Sequence, residues 1–159
     1  GWYCYAQPLV KAINSYLKDV GNTEYKAKDI TGSSVDELKQ YIREGNPVVF
    51  WGTINFAFPR KSGQYVLPTG ERPYVNLHCL VLKGFDEEYM YIADPLGYTN
   101  KVKIEWWTQI YKSMGSRAVI ITKDSEASFY VYKNHVFILR CCTCNCSVGK
   151  HHSDDSRQR

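Results

Sequence analysis

The chain lacks the features that would place it in a membrane or on a nucleic acid. No stretch of about 18 consecutive apolar residues occurs, so no segment is expected to span a bilayer. It also lacks an initiator Met and a basic start leading into an apolar run. No signal peptide is therefore visible, and Gly1 is expected to be a processed, trimmed or fragmentary start. The net charge of +4 is spread along the chain, which argues against a nucleic-acid partner.

A spaced disulfide framework is also missing. Four of the six cysteines lie in the run CCTCNC, residues 141–146, which is too short for all of them to bridge one another with normal geometry. His151 and His152 follow, but structural zinc sites use ligand pairs separated by two to four residues. We therefore expect no metal and no cofactor. Adventitious metal binding and palmitoylation of this tail stay open as alternatives.

What is present suits one domain with a hydrophobic core, since 44% of the 159 residues are hydrophobic. Apolar spacing and stop signals predict three helices, over residues 8–18, 34–45 and 105–114. Apolar runs and turn signals predict strands over residues 47–54, 78–84, 89–94, 101–104 and 117–122. This order indicates the α+β class, with a mostly antiparallel sheet and helices packed on it.

The character of the chain changes near residue 123. Residues 1–122 are expected to form the domain, and residues 123–140 an uncertain hairpin around Lys133 and Asn134. Residues 141–159 have almost no apolar side chains and are expected to be a disordered, Cys- and His-containing tail.

A β-hairpin over residues 78–94 carries the most informative pair of residues. With Asp86 at the centre of the turn, Leu82 would face Met90 and His78 would face Asp94, with Cβ atoms about 4.5–5.5 Å apart. A carboxylate beside an imidazole orients a general base and stabilises its protonated form. A core histidine satisfied by a nearby carboxylate would explain the same hairpin, so both interpretations stay open.

A base of this kind needs a nucleophile to activate. Cys4 is the candidate thiol, because it lies shortly before Pro8 at the positive end of the first predicted helix. Cys79 follows His78 directly on a strand, so its side chain is expected on the opposite face of the sheet. The alternative for Cys4 is an inert cysteine near a chain end.

Residues 55–77 are predicted to form a long loop, rich in Pro and Gly, with basic residues between aromatic ones. A loop of this length in a small domain is usually functional or mobile. The segment LPTGER, residues 67–72, is predicted to turn a small hairpin inside it. An excursion without function is the alternative.

Several segments together resemble bacterial papain-like cysteine peptidases of the stand-alone C-thirty-nine-like branch. They are residues 5–19, residues 29–55 with the motif GNPVV, residues 78–97 with HCLVLKGFD and DPLG, and residues 110–121. The resemblance implies a papain-like fold, partial in this chain. It further implies that His78 is the general base and Asp94 the acidic residue that orients it. By the same resemblance the substrate is a peptide or protein, and the location is extracellular or in the bacterial cell envelope.

One departure from the family pattern limits what the resemblance implies. Family members place the catalytic Cys at the start of an earlier helix, with an oxyanion-hole Gln upstream. Neither Cys4 nor Gln7 matches those positions. The leading hypothesis is a cysteine peptidase-like domain that keeps the His78/Asp94 pair but is inactive alone. The alternatives are a non-enzymatic module that binds peptide or cell-wall material, and an active hydrolase with Cys4 as a displaced nucleophile. The oligomeric state is left open.

Overall fold

The computed structural model describes residues 4–123, which form a six-stranded antiparallel sheet with helices on both faces. The sheet has the strand order β1-β6-β2-β3-β4-β5. The elements are α1 (Ala6–Asp19), β1 (Tyr25–Asp29), α2 (Val35–Arg43), β2 (Val48–Thr53), β3 (Leu77–Phe85), β4 (Tyr89–Ala93), β5 (Lys101–Lys103), α3 (Ile104–Ser113) and β6 (Ala118–Lys123). The predicted α+β class and antiparallel sheet are confirmed.

The three predicted helices are present with small shifts at their ends. Helix α2 starts as its capping motif predicts, because the Ser34 hydroxyl accepts from the Glu37 backbone N–H at 3.3 Å. The Glu37 carboxylate in turn accepts from the Ser34 backbone N–H at 2.7 Å. Helix α1 begins at Ala6, which puts Pro8 in its first turn, where a missing N–H costs nothing.

The sheet lies between two apolar layers because alternate side chains of its central strands point to opposite faces. On one face, Phe50 and Leu80 pack against α2 and α3 through Leu38, Trp107 and Ile110. On the other face, Trp51 and Val119 pack against α1 around Ala6. Strand β2 is buried on both faces, as its continuous apolar run predicts.

Strand β1 is an element that the sequence pattern did not indicate. It pairs with β6 at the edge of the sheet, from Tyr25 opposite Lys123 to Asp29 opposite Val119. Only Ala27 is buried in it, so neither an apolar run nor an alternating pattern is available to identify it. Its strand conformation depends on the partner strand rather than on local sequence.

The register of the β3–β4 hairpin differs from the predicted one. Leu82 faces Ile92 rather than Met90, and Val81 faces Ala93. Asp86 is the first residue of the turn, not its centre, because its carboxylate accepts from the Glu88 and Tyr89 backbone N–H groups at 2.8 and 2.6 Å. A bulge between Leu82 and Gly84 shifts the strand pairing by one residue. Leu82, Met90 and Ile92 therefore still share one buried face of the hairpin.

The long loop folds back on itself between β2 and β3. A backbone bridge joins Lys61 to Tyr74, and the Leu67 N–H donates to the Glu71 carbonyl at 2.7 Å. The turn predicted within residues 67–72 therefore exists, although no regular strand flanks it. The domain end predicted at residue 122 stays a prediction. Apart from Lys123, the predicted hairpin over residues 123–140 lies outside the described residues, as does the tail over 141–159.

Candidate functional site

The site is centred on a hydrogen bond between His78 and Asp94. His78 Nε2 lies 2.7 Å from Asp94 Oδ1, and the two side chains are 12% and 1% exposed. Continued by one residue, the observed register would set Asp94 opposite Leu80, one diagonal step from His78. Diagonal neighbours on one face of a sheet are close enough for long side chains to meet. The predicted contact is thus confirmed, although the register used to predict it was wrong.

The DPLG turn fixes the Asp94 carboxylate from the other side. Asp94 Oδ1 also accepts from the Leu96 backbone N–H at 2.8 Å, and Oδ2 accepts from the Thr99 N–H at 3.2 Å. The Gly97 N–H closes the turn on the Asp94 carbonyl at 2.9 Å, and Gly97 has a φ of 72° that glycine adopts without strain. The carboxylate therefore has a single well-determined position against the imidazole.

The surroundings of Asp94 favour its charged form. Burial on its own would raise the pKa of the carboxyl, but the hydrogen bond and charge of His78 act against this. With the Leu96 and Thr99 N–H groups, they hold the pKa of Asp94 below its usual value of 3.8. Asp94 is thus a carboxylate at neutral pH. Because it occupies Nε2 of His78, Nδ1 is the ring atom left to accept a proton from another group.

A close-packed glycine lies opposite His78 on the neighbouring strand. Gly52 of β2 pairs with His78, and a Cβ added to it would lie 3.1 Å from Leu80 Cδ1 and 3.3 Å from Phe50 Cε2. Both contacts are tighter than ordinary van der Waals contact, so a larger residue at position 52 would displace the Leu80 and Phe50 side chains of the core. The lack of a side chain at position 52 lets the core close up beside the site.

Comparison with known proteins identifies the family. Residues 1–119 match the sequence profile of the Peptidase_C39 like family. The chain belongs to this family. It is 33% identical over 122 residues to the uncharacterised protein YvpB of Bacillus subtilis strain 168, covering 75% of this chain. It also matches a crystal structure from Bacillus anthracis, provisionally described as a C39-like peptidase, with a TM-score of 0.64 and 32% identity over 79% of this chain.

This C39-like chain is shorter than both relatives. It covers 46% of the length of YvpB and 62% of the chain in the solved structure. The match to that structure agrees with the α+β, papain-like fold implied by the motifs.

The described thiols of the C39-like domain lie away from His78. Cys79 pairs with Trp51, and His78 pairs with Gly52, so Cys79 and His78 point to opposite faces of the sheet. The Cys4 carbonyl accepts from Trp51 Nε1 at 2.9 Å, which places the Cys4 backbone on the α1 side with Trp51. Cys4 is exposed, and its thiol donates to the Tyr5 carbonyl at 3.3 Å. The structure therefore brings His78 and Asp94 together but leaves Cys4 on the other side.

Cys79 is a poor nucleophile for a second reason. Burial raises the pKa of its thiol, and the nearby Cys4 thiol raises it further when charged. The neutral thiol is much less nucleophilic than the thiolate. No contact between Cys79 and the imidazole offsets this, because the strand turns the two side chains apart.

Two buried polar residues at the start of the long loop were not identified from the sequence. Asn76 and Thr53 are 3% and 0% exposed. Their side chains bond to backbone groups of the loop, Thr53 Oγ1 to the Ala57 carbonyl and Asn76 to Phe58 and Arg60. The only available signal was an Asn directly before the strand that carries His78, which is too common a pattern to decide anything.

Neither a metal centre nor a membrane-spanning helix is present in the described part of the chain. Between residues 4 and 123, no group of three or more His, Cys, Asp or Glu side chains is placed to hold a metal ion. The Cys- and His-rich tail lies beyond that range. Over the same residues, no helix is both long enough and apolar enough to cross a bilayer.

Proposed function

We propose that this chain carries the general base and its orienting carboxylate of a cysteine peptidase site, and that peptides or proteins are the substrates. His78 would take the proton of a cysteine thiol at Nδ1, and Asp94 would hold the ring and stabilise the imidazolium that forms. The thiolate would then attack a peptide carbonyl. The His78 Nε2–Asp94 Oδ1 bond of 2.7 Å is the observation that carries this proposal.

The burial of the pair supports a base rather than a surface ion pair. An exposed His–Asp contact is weak and easily rearranged. Here the carboxylate is 1% exposed and anchored by two backbone N–H groups, so the imidazole it holds keeps one orientation. A preset orientation is what proton transfer to a base requires.

We further propose that the 159-residue chain on its own does not hydrolyse peptides through a described thiol. Cys79 points away from His78, and Cys4 lies with Trp51 on the opposite face of the sheet. A thiol that cannot reach the imidazole is not activated by it, and no acyl-enzyme can form.

Site-resolved alkylation of the intact chain tests this proposal. Iodoacetamide is added to the wild type and to His78→Ala, and each cysteine is followed by peptide mass mapping alongside a fluorogenic peptide-hydrolysis assay. We expect Cys4 to react at the same rate in both proteins, with hydrolysis no faster than in buffer. Rapid labelling of Cys4 that disappears in His78→Ala would instead make Cys4 the nucleophile and the chain an active hydrolase.

The role of His78 as general base is tested by mutation in a longer polypeptide that contains this chain and hydrolyses peptides. There, His78→Ala should lower kcat/KM by roughly 10²–10⁴-fold, the usual contribution of a general base. Hydrolysis that survives His78→Ala unchanged would exclude His78 from the reaction.

A non-enzymatic binding module is the second candidate function. It is favoured by exposed aromatic side chains on the long loop and on the turn after Asp94, namely Phe58, Tyr65 and Tyr98. Such a module would bind unmodified peptide or cell-wall fragments with the same affinity after His78→Ala. Isothermal titration of the wild type and His78→Ala with both ligand types tests this function. Equal, measurable binding of cell-wall fragments by both proteins would support a binding module, and no binding of either ligand type by the wild type would exclude it.

A further inference from the structure

Asn76 is a buried amide whose bonds join three parts of the chain, two residues before His78. It is 3% exposed and lies directly before β3. Its side-chain Nδ2 donates to the Phe58 carbonyl at 2.9 Å, and its Oδ1 accepts from the Arg60 N–H at 2.9 Å. Its own carbonyl accepts from the Ile54 N–H at 2.9 Å, just beyond the end of β2. The start of the loop is therefore bound to the beginning of the strand that carries His78.

The same stretch of loop is fixed on its other side by α3. Trp106 Nε1 donates to the Phe56 carbonyl at 2.9 Å, and the Phe58 ring packs edge-on against the Trp106 ring at 5.0 Å between centroids. Phe56 is buried in the core on the α2/α3 face, whereas Phe58 is 62% exposed. Residues 56–60, called the wall below, are thus held by Asn76 on one side and by Trp106 on the other, and the Phe58 ring is exposed to solvent.

We propose that Asn76 is a positioning residue for the His78/Asp94 pair. It holds residues 56–60 as one wall of the site and keeps the start of β3 in the backbone position that the His78–Asp94 bond needs. This inference rests on the proposed role of His78 as a base. Asn76 itself touches backbone groups of the loop and β2, so it acts through the strand rather than on a substrate.

Asn76 and His78 are close enough in sequence for a backbone shift at Asn76 to reach His78. Asn76 lies in the turn directly before β3, two residues from His78, so their Cα atoms are at most about 7 Å apart. When the amide is removed, the Phe58 carbonyl and the Arg60 N–H lose their partners in a partly buried place and must turn towards water. The loop start would then detach, and the first residues of β3 would fray towards His78.

Asn14 provides a matched control in the same chain. Its Nδ2 donates to the Ala27 carbonyl at 3.1 Å, and its Oδ1 accepts from the Ala27 N–H at 2.8 Å. Asn14→Ala therefore removes the same two kinds of bond as Asn76→Ala. It does so between α1 and β1, on the face of the sheet away from His78.

The first measurement follows the His78–Asp94 bond by NMR in the intact 159-residue chain. The Nε2 proton of His78 should give a signal protected from exchange in the wild type and in Asn14→Ala, and should broaden or vanish in Asn76→Ala. The ¹³C titration of the Asp94 carboxyl should move to higher pH in Asn76→Ala alone, because the hydrogen bond that lowers its pKa is weakened. A signal and a titration unchanged in Asn76→Ala would overturn the inference.

The second measurement uses trypsin to report how often the wall, residues 56–60, opens. Trypsin can cut after Arg60 and Lys61, whereas Arg72 is protected by the following Pro73. Cleavage after residues 60 and 61 should be about tenfold faster in Asn76→Ala than in Asn14→Ala, because the population of the open loop sets the rate. Equal cleavage of the two variants would count against the wall.

A milder variant covers the case in which Asn76→Ala does not fold. Asn76→Asp keeps the volume and the acceptor for the Arg60 N–H but loses the donor to the Phe58 carbonyl, so its cleavage rate should lie between those of wild type and Asn76→Ala. Wild-type cleavage and an unchanged Asp94 titration in Asn76→Asp would then overturn the inference. If the wild type itself lacks a protected His78 proton, the proposed function fails instead, so the two failures are distinguishable.

Discussion

At the scale of single residues, the site depends on one carboxylate with a buried and fully determined position. Asp94 accepts from His78, Leu96 and Thr99, and each of these bonds favours its charged form over its neutral form. The depressed pKa therefore links the site to stability. The contribution is fully present above about pH 4, the unfolded-state pKa of an aspartate, and is lost as the pH falls through the lower folded-state pKa.

Replacing Asp94 with Asn should show this pH dependence directly. We expect Asp94→Asn to lower the free energy of unfolding by about 1.5–3 kcal/mol at pH 7, the usual worth of hydrogen bonds to a charged group. The difference from wild type should shrink as the pH falls below about 4, because the carboxyl of the unfolded wild type is protonated first and that of the folded wild type follows at its lower pKa. Urea unfolding at pH 7 and pH 3 measures both values. Asp19→Asn, at the exposed C-terminal end of α1, is the control and should not lower the free energy of unfolding at pH 7, because a carboxylate there does not favour the helix dipole.

Gly52 gives a second prediction at this scale. A methyl group there would meet Leu80 and Phe50 at 3.1 and 3.3 Å, so Gly52→Ala should destabilise the fold by about 1–3 kcal/mol. Gly84→Ala is the matched change in β3, where the added Cβ meets Tyr91 at an ordinary 3.7 Å. Thermal unfolding of both variants measures the contrast, and equal melting temperatures would contradict it.

At the scale of the elements, local signals decided some segments and partner strands decided others. The Ser34 capping motif fixes the start of α2 because both of its hydrogen bonds lie within four residues of chain. Strand β1 has no comparable local signal, since only Ala27 is buried in it and its partner β6 lies ninety or more residues away in sequence. The hairpin register was wrong because Asp86 could be read as either the centre or the first residue of the turn. A sequence pattern does not decide between these two positions.

The cap of α2 can be tested by itself. Ser34→Ala should cost about 1 kcal/mol of stability, because the Glu37 N–H loses its acceptor. Ser33→Ala is the control, since among residues 4–123 the Ser33 hydroxyl has no hydrogen bond. Urea midpoints of the two variants give the comparison, and an equal loss in both would show that the hydroxyl of Ser34 does not act as a cap.

At the scale of the whole molecule, the two apolar layers close around the sheet within the described residues. Their buried members run from Ala6 to Ile120, and β6 ends at Lys123. The core of the described residues is therefore built from elements that end by Lys123. This agrees with the predicted domain end near residue 122, which itself stays a prediction.

A chain that ends at Lys123 should accordingly unfold with the same free energy and the same cooperativity as the full chain. Differential scanning calorimetry of the two proteins is the measurement. A large loss of stability on shortening would show that residues beyond Lys123 belong to the fold.

Metal binding by the tail is tested separately, by the Zn²⁺ that the protein retains after dialysis. A metal-binding tail predicts that the full chain retains Zn²⁺ and that a chain ending at Arg140 does not.

The sequence by itself determined the features whose causes are local. These include the helix cap at Ser34, the central apolar strand β2, and the motifs that brought His78 and Asp94 into one family pattern. Tertiary structure alone decided the strand β1, the hairpin register, the position of Cys4 and the bonds of Asn76. The physical reason is the range of the interactions. A cap or an apolar period acts within a few residues, whereas the partner of an edge strand or of a buried amide is set by chain that lies far away in sequence.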